Sequence, residues 1–312
     1  MSLTKTAVLI PCYNESLTIE KVILDFRKAL PDADIYVYDN NSTDNTPEIA
    51  RRAGAIVRYE YKQGKGNVLR RMFSDIDADC YIMVDGDDTY PAENAPEMEK
   101  LILEGRADMV VGDRLNTTYF TENKRPFHDF GNRLVRWLVN SLFHGKLQDI
   151  MSGYRAMNKS FVKRFPLLSQ GFEIETEMSL FALDGNFLVK EIDVQYRDRI
   201  SGSQSKLNTF SDGYRVLKMI VMLFRDYKPF YFFSMISSIF LIIGLILFFS
   251  VLSDFLKTGL VLRFPTLFVS IFMLMISVMF FCSGLILDVL RNNQKKNNEL
   301  MVNIVRTYGN KK

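Results

Sequence analysis

Two long stretches of this chain contain no charged residue at all: Phe230–Leu252 and Phe264–Leu287. Each exceeds the roughly 20 apolar residues that carry a helix across a bilayer core. The connection between them, Ser253–Arg263, is short, so the two segments are expected to form a helical hairpin. Basic residues precede the first run (Arg215, Lys218, Arg225, Lys228) and follow the second (Arg291, Lys295, Lys296, Arg306). The connection carries only Lys257 and Arg263, with Asp254 beside them. That Lys/Arg bias places both chain ends, and a C-terminal basic tail over 291–312, on the cytoplasmic side. A mean hydropathy close to zero conceals the split between these apolar runs and the remainder.

The remainder, residues 1–206, has the character of a soluble domain. Its first apolar run, Ala7–Ile10, is too short for the core of a signal peptide and reads as a buried strand. Further strand-like runs are 35–38, 55–57, 81–84 and 109–111, with helical patterns at Leu17–Leu30, Thr46–Ala53, Asn67–Ile76 and Ala95–Leu103 between them. Thr46 is expected to cap its helix, with Pro47 at the first helical position. This alternation implies an α/β fold with a mostly parallel, Rossmann-like sheet, whose ligand site lies at the carboxyl ends of the strands. Three cysteines, Cys12, Cys80 and Cys282, have neither metal-ligand nor disulfide spacing, which fits reduced surroundings. His128 and His144 are not spaced as a metal pair. A formal charge of +3 is too mild to indicate nucleic acid. Between the domain and the apolar runs, Leu207, Phe210, Tyr214, Leu217, Val221 and Phe224 recur every three or four residues. The amphipathic helix they predict, within a 207–228 segment, suits either core packing or a membrane interface, and its position favours the interface.

The polar turns after the strands carry the chemistry. The first strand runs into Pro11-Cys12-Tyr13-Asn14-Glu15 and the second into Asp39-Asn40-Asn41-Ser42-Thr43-Asp44. Taken singly, either could be an ordinary turn with a helix cap. The fourth ends in Asp85-Gly86-Asp87-Asp88, three carboxylates in four residues that repel one another without a counter-charge. A hard divalent cation removes that repulsion, and Mg²⁺ characteristically takes one or two carboxylates together with substrate phosphates.

In order and spacing these segments resemble the family 2 glycosyltransferases, whose nucleotide-binding domain has the GT-A fold. Val111-Gly112-Asp113-Arg114, Ser152-Gly153-Tyr154-Arg155 and the 199–206 stretch are similar to motifs of the dolichyl-phosphate mannose synthase branch and its bacterial undecaprenyl-phosphate relatives. The resemblance implies that Pro11, Tyr13, Glu15 and Asp39 line the base and ribose pocket, with Lys65 and Gly66 near the nucleotide. Asp85 and Asp87 would hold the donor diphosphate through Mg²⁺ or Mn²⁺; where some mannose synthases supply an amide this chain has Thr89, so Asp88 or water would complete the shell. Asp87, Arg114 and Arg155 would serve the transfer itself, the two arginines by contacting substrate phosphate, and Arg199 and Lys206 would bind the acceptor phosphate. Apart from the resemblance, Glu173, Glu175 and Glu177 fall on an expected helix, from which Glu175 could face the site.

The activity implied is transfer of a hexose or N-acetylhexosamine from a sugar nucleotide, UDP-linked by preference, to a polyisoprenyl phosphate at the membrane. A homo-oligomer is left open. Two alternatives stand beside it. A processive polysaccharide synthase would need more spans and a Gln-x-x-Arg-Trp motif; Arg136-Trp137 is present, but Arg133 stands where Gln is required. A non-catalytic membrane scaffold would not need the acidic and basic sets together.

Overall fold

The computed structural model describes residues 4–114, 136–137, 139–141, 147–167, 174–197, 218, 221–222 and 224–309, the side chains of 298 and 301–309 excepted. The chain divides into two compact units, Met1–Val216 and Leu217–Lys312.

The first unit is built on β1 (Thr6–Cys12), α1 (Ile19–Ala29), β2 (Asp34–Asp39), α2 (Thr46–Arg52), β3 (Ile56–Tyr59), α3 (Lys65–Asp75), β4 (Cys80–Met83), α4 (Ala95–Leu103) and β5 (Met109–Asp113). It continues through β6 (Arg155–Asn158), α5 (Lys159–Arg164), α6 (Ile174–Asp184) and β7 (Val189–Asp193). Seven strands form one sheet in the order β3-β2-β1-β4-β6-β5-β7. β6 runs antiparallel to both neighbours, and every other pairing is parallel. All five strands and all four helices read from the sequence pattern are present; β6 and β7 were not foreseen.

Side chains alternate between the two faces of the sheet because successive strand residues point to opposite sides. From β1, Val8 and Ile10 join a core beneath α1, α2 and α4, where Ile19, Val22, Ile23 and Phe26 form the buried stripe of α1. Ala7 and Leu9 face the opposite core, filled by Leu69 and Met72 of α3, Phe161 of α5 and Met178 of α6. Both faces being covered, the central strands read as continuous apolar runs.

The start of α2 differs from expectation. Thr46 is already helical and does not cap; its hydroxyl donates to Asp44 Oδ1 at 2.5 Å, and the same oxygen accepts the Thr46 N–H. Asp44 is therefore the residue that satisfies the exposed end of this helix.

The second unit contains α7 (Pro229–Thr258) and α8 (Phe264–Gly309), both long and apolar enough to cross a membrane. They pack as a hairpin through small residues. Ser237 and Ser277 each donate to the other's backbone carbonyl, at 2.8 and 2.9 Å. A side chain on Gly244 would press on Leu274, so the helices approach closely there. Gly259 (φ +69°) closes α7 in the left-handed conformation that glycine adopts freely. The 291–309 segment, read as a basic tail, continues α8 without a break. Of the amphipathic helix expected over Leu207–Phe224, all but four positions lie outside the described residues, as do His128 and His144.

Candidate active site

The carboxyl ends of β1, β2, β4 and β5 lie along one edge of the sheet. Because β6 is antiparallel, its first residue meets the last of β4: Arg155 pairs with Met83. The Ser152-Gly153-Tyr154 turn thereby arrives beside the turn that follows β4. Topology, rather than sequence proximity, brings the acidic turn and the Ser152–Arg155 motif together.

The turns after β1 and β2 form one cross-linked unit. Asn14 Oδ1 accepts the Thr43 N–H at 2.8 Å, Ser42 Oγ accepts the Asn14 N–H at 2.9 Å, and Thr46 Oγ1 accepts the Glu15 N–H at 2.9 Å. Asp44 also accepts the Ser16 N–H. Burial opposes ionisation of Asp44, but bonds from Thr46 and Ser16 win and hold it below the usual carboxylate range. Pro11, Tyr13 and Glu15 are partly exposed along this unit. Asp39 is buried; its Oδ2 accepts the Ser42 N–H at 3.0 Å, while its Oδ1 is buried with no hydrogen-bond partner among the described residues. Asn40, which sequence reasoning passed over, ties this region to the start of α3. It donates to the carbonyls of Glu60 and Lys62 and accepts the Gly64 N–H.

The three acidic residues separate. Gly86 packs so closely on Cys12 that a Cβ there would lie 2.9 Å from Sγ, and Thr18 Oγ1 donates to its carbonyl at 2.6 Å. Asp87 is buried, with Oδ1 accepting from the Thr89 hydroxyl at 2.6 Å. Asp85 is the accessible one, its side chain 31% exposed. Lys65, at the start of α3, lies 2.5 Å from Asp85 Oδ1 and 2.5 Å from Glu175 Oε1 on α6. Burial alone would lower the Lys65 pKa; the two carboxylates outweigh it and raise it above the usual lysine range. Burial in turn pushes the Glu175 carboxyl up, against the pull of Lys65. Gly66 is buried on the same helix turn. Asp88 departs from the expected role. Its backbone is left-handed (φ +57°), and its carboxylate pairs with Lys21 at 2.7 Å and Arg197 at 3.3 Å. Among the described residues, no three His, Cys, Asp or Glu side chains converge on one point. With Asp88 engaged by Lys21 and Arg197, the carboxylates left at this turn are Asp85 and Asp87. Two carboxylates offering only oxygen suit a hard cation that completes its shell with phosphate and water.

The arginines also divide. Arg114, after β5, is largely buried and engaged with the protein: it pairs with Asp149 at 2.8 Å, donates to Tyr90 Oη and the Met151 carbonyl, and lies over the Tyr196 ring. Arg155 is entirely buried. It donates to the carbonyls of Ser152 and Ile150 and to Ser179 Oγ, and burial pulls its pKa down to about 10. Contrary to the expected phosphate contact, Arg155 is spent on backbone carbonyls and holds the 150–152 turn from beneath. Arg199 and Lys206 lie outside the described residues.

This sheet order, with its antiparallel strand feeding a turn onto the acidic edge, defines a GT-A-type glycosyltransferase. The chain belongs to the glycosyl transferase family 2, whose profile matches residues 7–165. It is 34% identical over 235 residues to the glycosyltransferase AglJ of Haloferax volcanii, covering 74% of this chain and 75% of that protein. It is 29% identical over 215 residues to a dolichyl-phosphate hexose transferase of the same organism, covering 69% of this chain and 92% of that one. Among solved structures, it shares its fold with glucosyl-3-phosphoglycerate synthase from Mycobacterium tuberculosis, crystallised with Mn²⁺, uridine diphosphate and glucosyl-3-phosphoglycerate. The TM-score is 0.58 at 20% identity, over 71% of this chain and 79% of that one.

Proposed function

We propose that this glycosyltransferase transfers a hexose or N-acetylhexosamine from a UDP-sugar to a polyisoprenyl phosphate, with inversion, aided by Mg²⁺ or Mn²⁺. The carrying observation is the Asp85-Gly86-Asp87 turn: one accessible and one buried carboxylate at the carboxyl ends of the strands, beside a region where Asp39 keeps a buried oxygen without a partner among the described residues. Such an oxygen costs stability until a donor such as a ribose hydroxyl or a base N–H meets it. The lipid acceptor is supported by the dolichyl-phosphate relative, spanned over nearly its full length, and by the two apolar helices. The UDP donor is supported by the uridine diphosphate held by the structural neighbour.

In the reaction, the bond from the sugar's anomeric carbon to the donor phosphate breaks while a bond to the acceptor phosphate oxygen forms. A bound divalent cation supplies stabilisation of the charge growing on the departing nucleoside diphosphate. Asp85 and Asp87 would hold it. A phosphate monoester with a second pKa near 6 is largely ionised at neutral pH, so its oxygen needs no general base. The protein's task is then to hold two anionic substrates together, which falls to Asp85 and Asp87 at the donor, through the cation they would hold, and, on sequence grounds, to Arg199 and Lys206 at the acceptor. The 229–290 region would span the membrane twice, with the catalytic domain on the cytoplasmic side, where a polyisoprenyl phosphate presents its head.

Incubating the purified full-length protein with undecaprenyl phosphate, Mg²⁺ or Mn²⁺ and radiolabelled UDP-glucose, UDP-N-acetylglucosamine or GDP-mannose tests this reading. A metal-dependent, solvent-extractable glycolipid is expected with a UDP-sugar, reduced at least about 100-fold by Asp87→Asn. Absence of product with every donor overturns the reading.

A further inference from the structure

Glu175 belongs to no motif that marks the site, yet it completes the group around Asp85. Three elements contribute: Asp85 from the turn after β4, Lys65 from the first turn of α3, and Glu175 from the first turn of α6. The Lys65 ammonium touches one carboxylate on either side, at 2.5 Å each. The two carboxylates differ in access: the Asp85 side chain is 31% exposed, that of Glu175 only 6%. Among the described residues, Glu175 Oε2 is also buried without a hydrogen-bond partner. A carboxylate retained merely for stability would bond both oxygens, because an unsatisfied buried acceptor is destabilising. Buried ion pairs are in any case weak contributors to stability. The arrangement is better suited to managing charge than to holding the fold.

Two carboxylates and one ammonium give the group a net charge of −1. A divalent cation arriving at Asp85 makes it +1; were Glu175 neutral, the same event would leave +2. The buried carboxylate therefore keeps Lys65 compensated when Asp85 turns to another cation.

We propose that Glu175 is a positioning residue for the metal site: it anchors Lys65 as an internal counter-charge to Asp85 and sets how tightly Asp85 binds a divalent cation. This rests on the metal role proposed for Asp85. Two opposite effects follow. Removing the charge of Glu175 leaves Lys65 to Asp85 alone and adds to the repulsion of the cation. Removing the ammonium of Lys65 leaves the two carboxylates with less positive charge beside them, which favours the cation.

Mn²⁺ binding to the full-length protein, read from the free-ion electron paramagnetic resonance signal without sugar nucleotide, tests this directly. Glu175→Gln is expected to weaken binding by about 10- to 100-fold, the range usual for residues that orient metal ligands. Lys65→Met is expected to tighten it by about 10-fold, a tenfold change per unit of favourable charge being a conservative expectation at partly buried sites. Asp85→Asn serves as the reference and is expected to abolish binding. If Asp85→Asn abolishes binding but Glu175→Gln stays within about twofold of the parent, the counter-charge role is overturned while the metal site stands. If Asp85→Asn binds as the parent does, the metal reading itself fails and this inference with it. Should Glu175→Gln not fold, Lys65→Met decides alone: unchanged or weaker binding overturns the proposal.

Discussion

Asp85 and Asp87 are separated by a single glycine, yet their surroundings assign them different circumstances. Asp87 is buried against Thr89, whereas Asp85 is open on one side and confined on the other by Gly153. A Cβ on Gly153 would collide with Asp85 Oδ2 and lie 3.1 Å from its Cγ, with the Gly153 N–H fixed to Tyr90 Oη at 3.1 Å. Glycine is thus required by close approach. Gly153→Ala is expected to displace the Asp85 carboxylate from Lys65 and to lower kcat/KM by about 100-fold, as misplacements near 1 Å do. Melting temperature should fall by only a few degrees; near-parental kcat/KM in a folded variant would refute the argument. Asp85 and Asp87 were legible in the sequence because carboxylates crowding the end of an apolar strand need a counter-charge. Glu175 was not, because its partner Lys65 lies 110 positions away and only the packing of α6 brings them together. Arg155 misled for a related reason. An arginine in a Gly-Tyr-Arg motif looks like a phosphate ligand, but the first residue of an interior strand points into the layers, where backbone carbonyls of the preceding turn take up its donors.

At the scale of elements, strands with three or more consecutive apolar residues were readable, and those lacking them were not. β6 (Arg-Ala-Met-Asn) and β7 (Val-Lys-Glu-Ile-Asp) carry charged or amide side chains that hide the pattern. β6 is nevertheless interior, and its antiparallel direction is what delivers Gly153 to the acidic turn. How α3 is held matters equally, since Lys65 and Gly66 stand at its start. Its far end is fixed by Asp75, which accepts from Arg71 at 2.8 Å and Tyr38 Oη at 3.2 Å and pairs with Arg58 at 3.5 Å. Burial disfavours the charged form of Asp75, but Arg71, Tyr38 and Arg58 together lower its pKa. A carboxylate whose pKa is depressed on folding contributes stability above its unfolded value, near 3.9, and loses it as pH falls through the lower folded value. Asp75→Asn is therefore expected to cost about 0.5–1 kcal/mol at pH 7. That difference should shrink to nothing as pH falls below about 3.9 in denaturation measurements on the variant and its parent. A cost that persists unchanged at pH 3 would mean that shape, not charge, holds this end of α3.

For the molecule as a whole, the decisive quantity is where charge is absent. A formal net charge of +3 says little, but its distribution about the two apolar helices is lopsided. Four cations precede α7 closely (Arg215, Lys218, Arg225, Lys228) and four follow the apolar part of α8 within about 20 residues (Arg291, Lys295, Lys296, Arg306). The connection holds two, and one of these, Arg263, is neutralised locally: it pairs with Asp254 through Nη2 at 2.5 Å and donates to the same oxygen from Nε at 2.8 Å. Each cation near the end of a span resists translocation, so eight against two should fix the hairpin with its connection outside and both flanks inside. The consequence can be read in cells. A fluorescent protein that matures only in the cytoplasm, fused after Lys312, should fluoresce. An alkaline phosphatase inserted between Thr258 and Gly259 should be active, because that enzyme requires export to form its disulfides. The opposite pair of results would put the catalytic domain on the far side from cytoplasmic sugar nucleotides and would remove the lipid-acceptor reading along with the topology. A subtler check keeps the protein unfused. Replacing Leu260 and Leu262 by lysine raises the connection's count to four, so the bias halves from eight against two to eight against four. The topology should then become mixed if charge is what sets it, and should stay uniform if the hairpin's orientation is fixed by the folded domain before it.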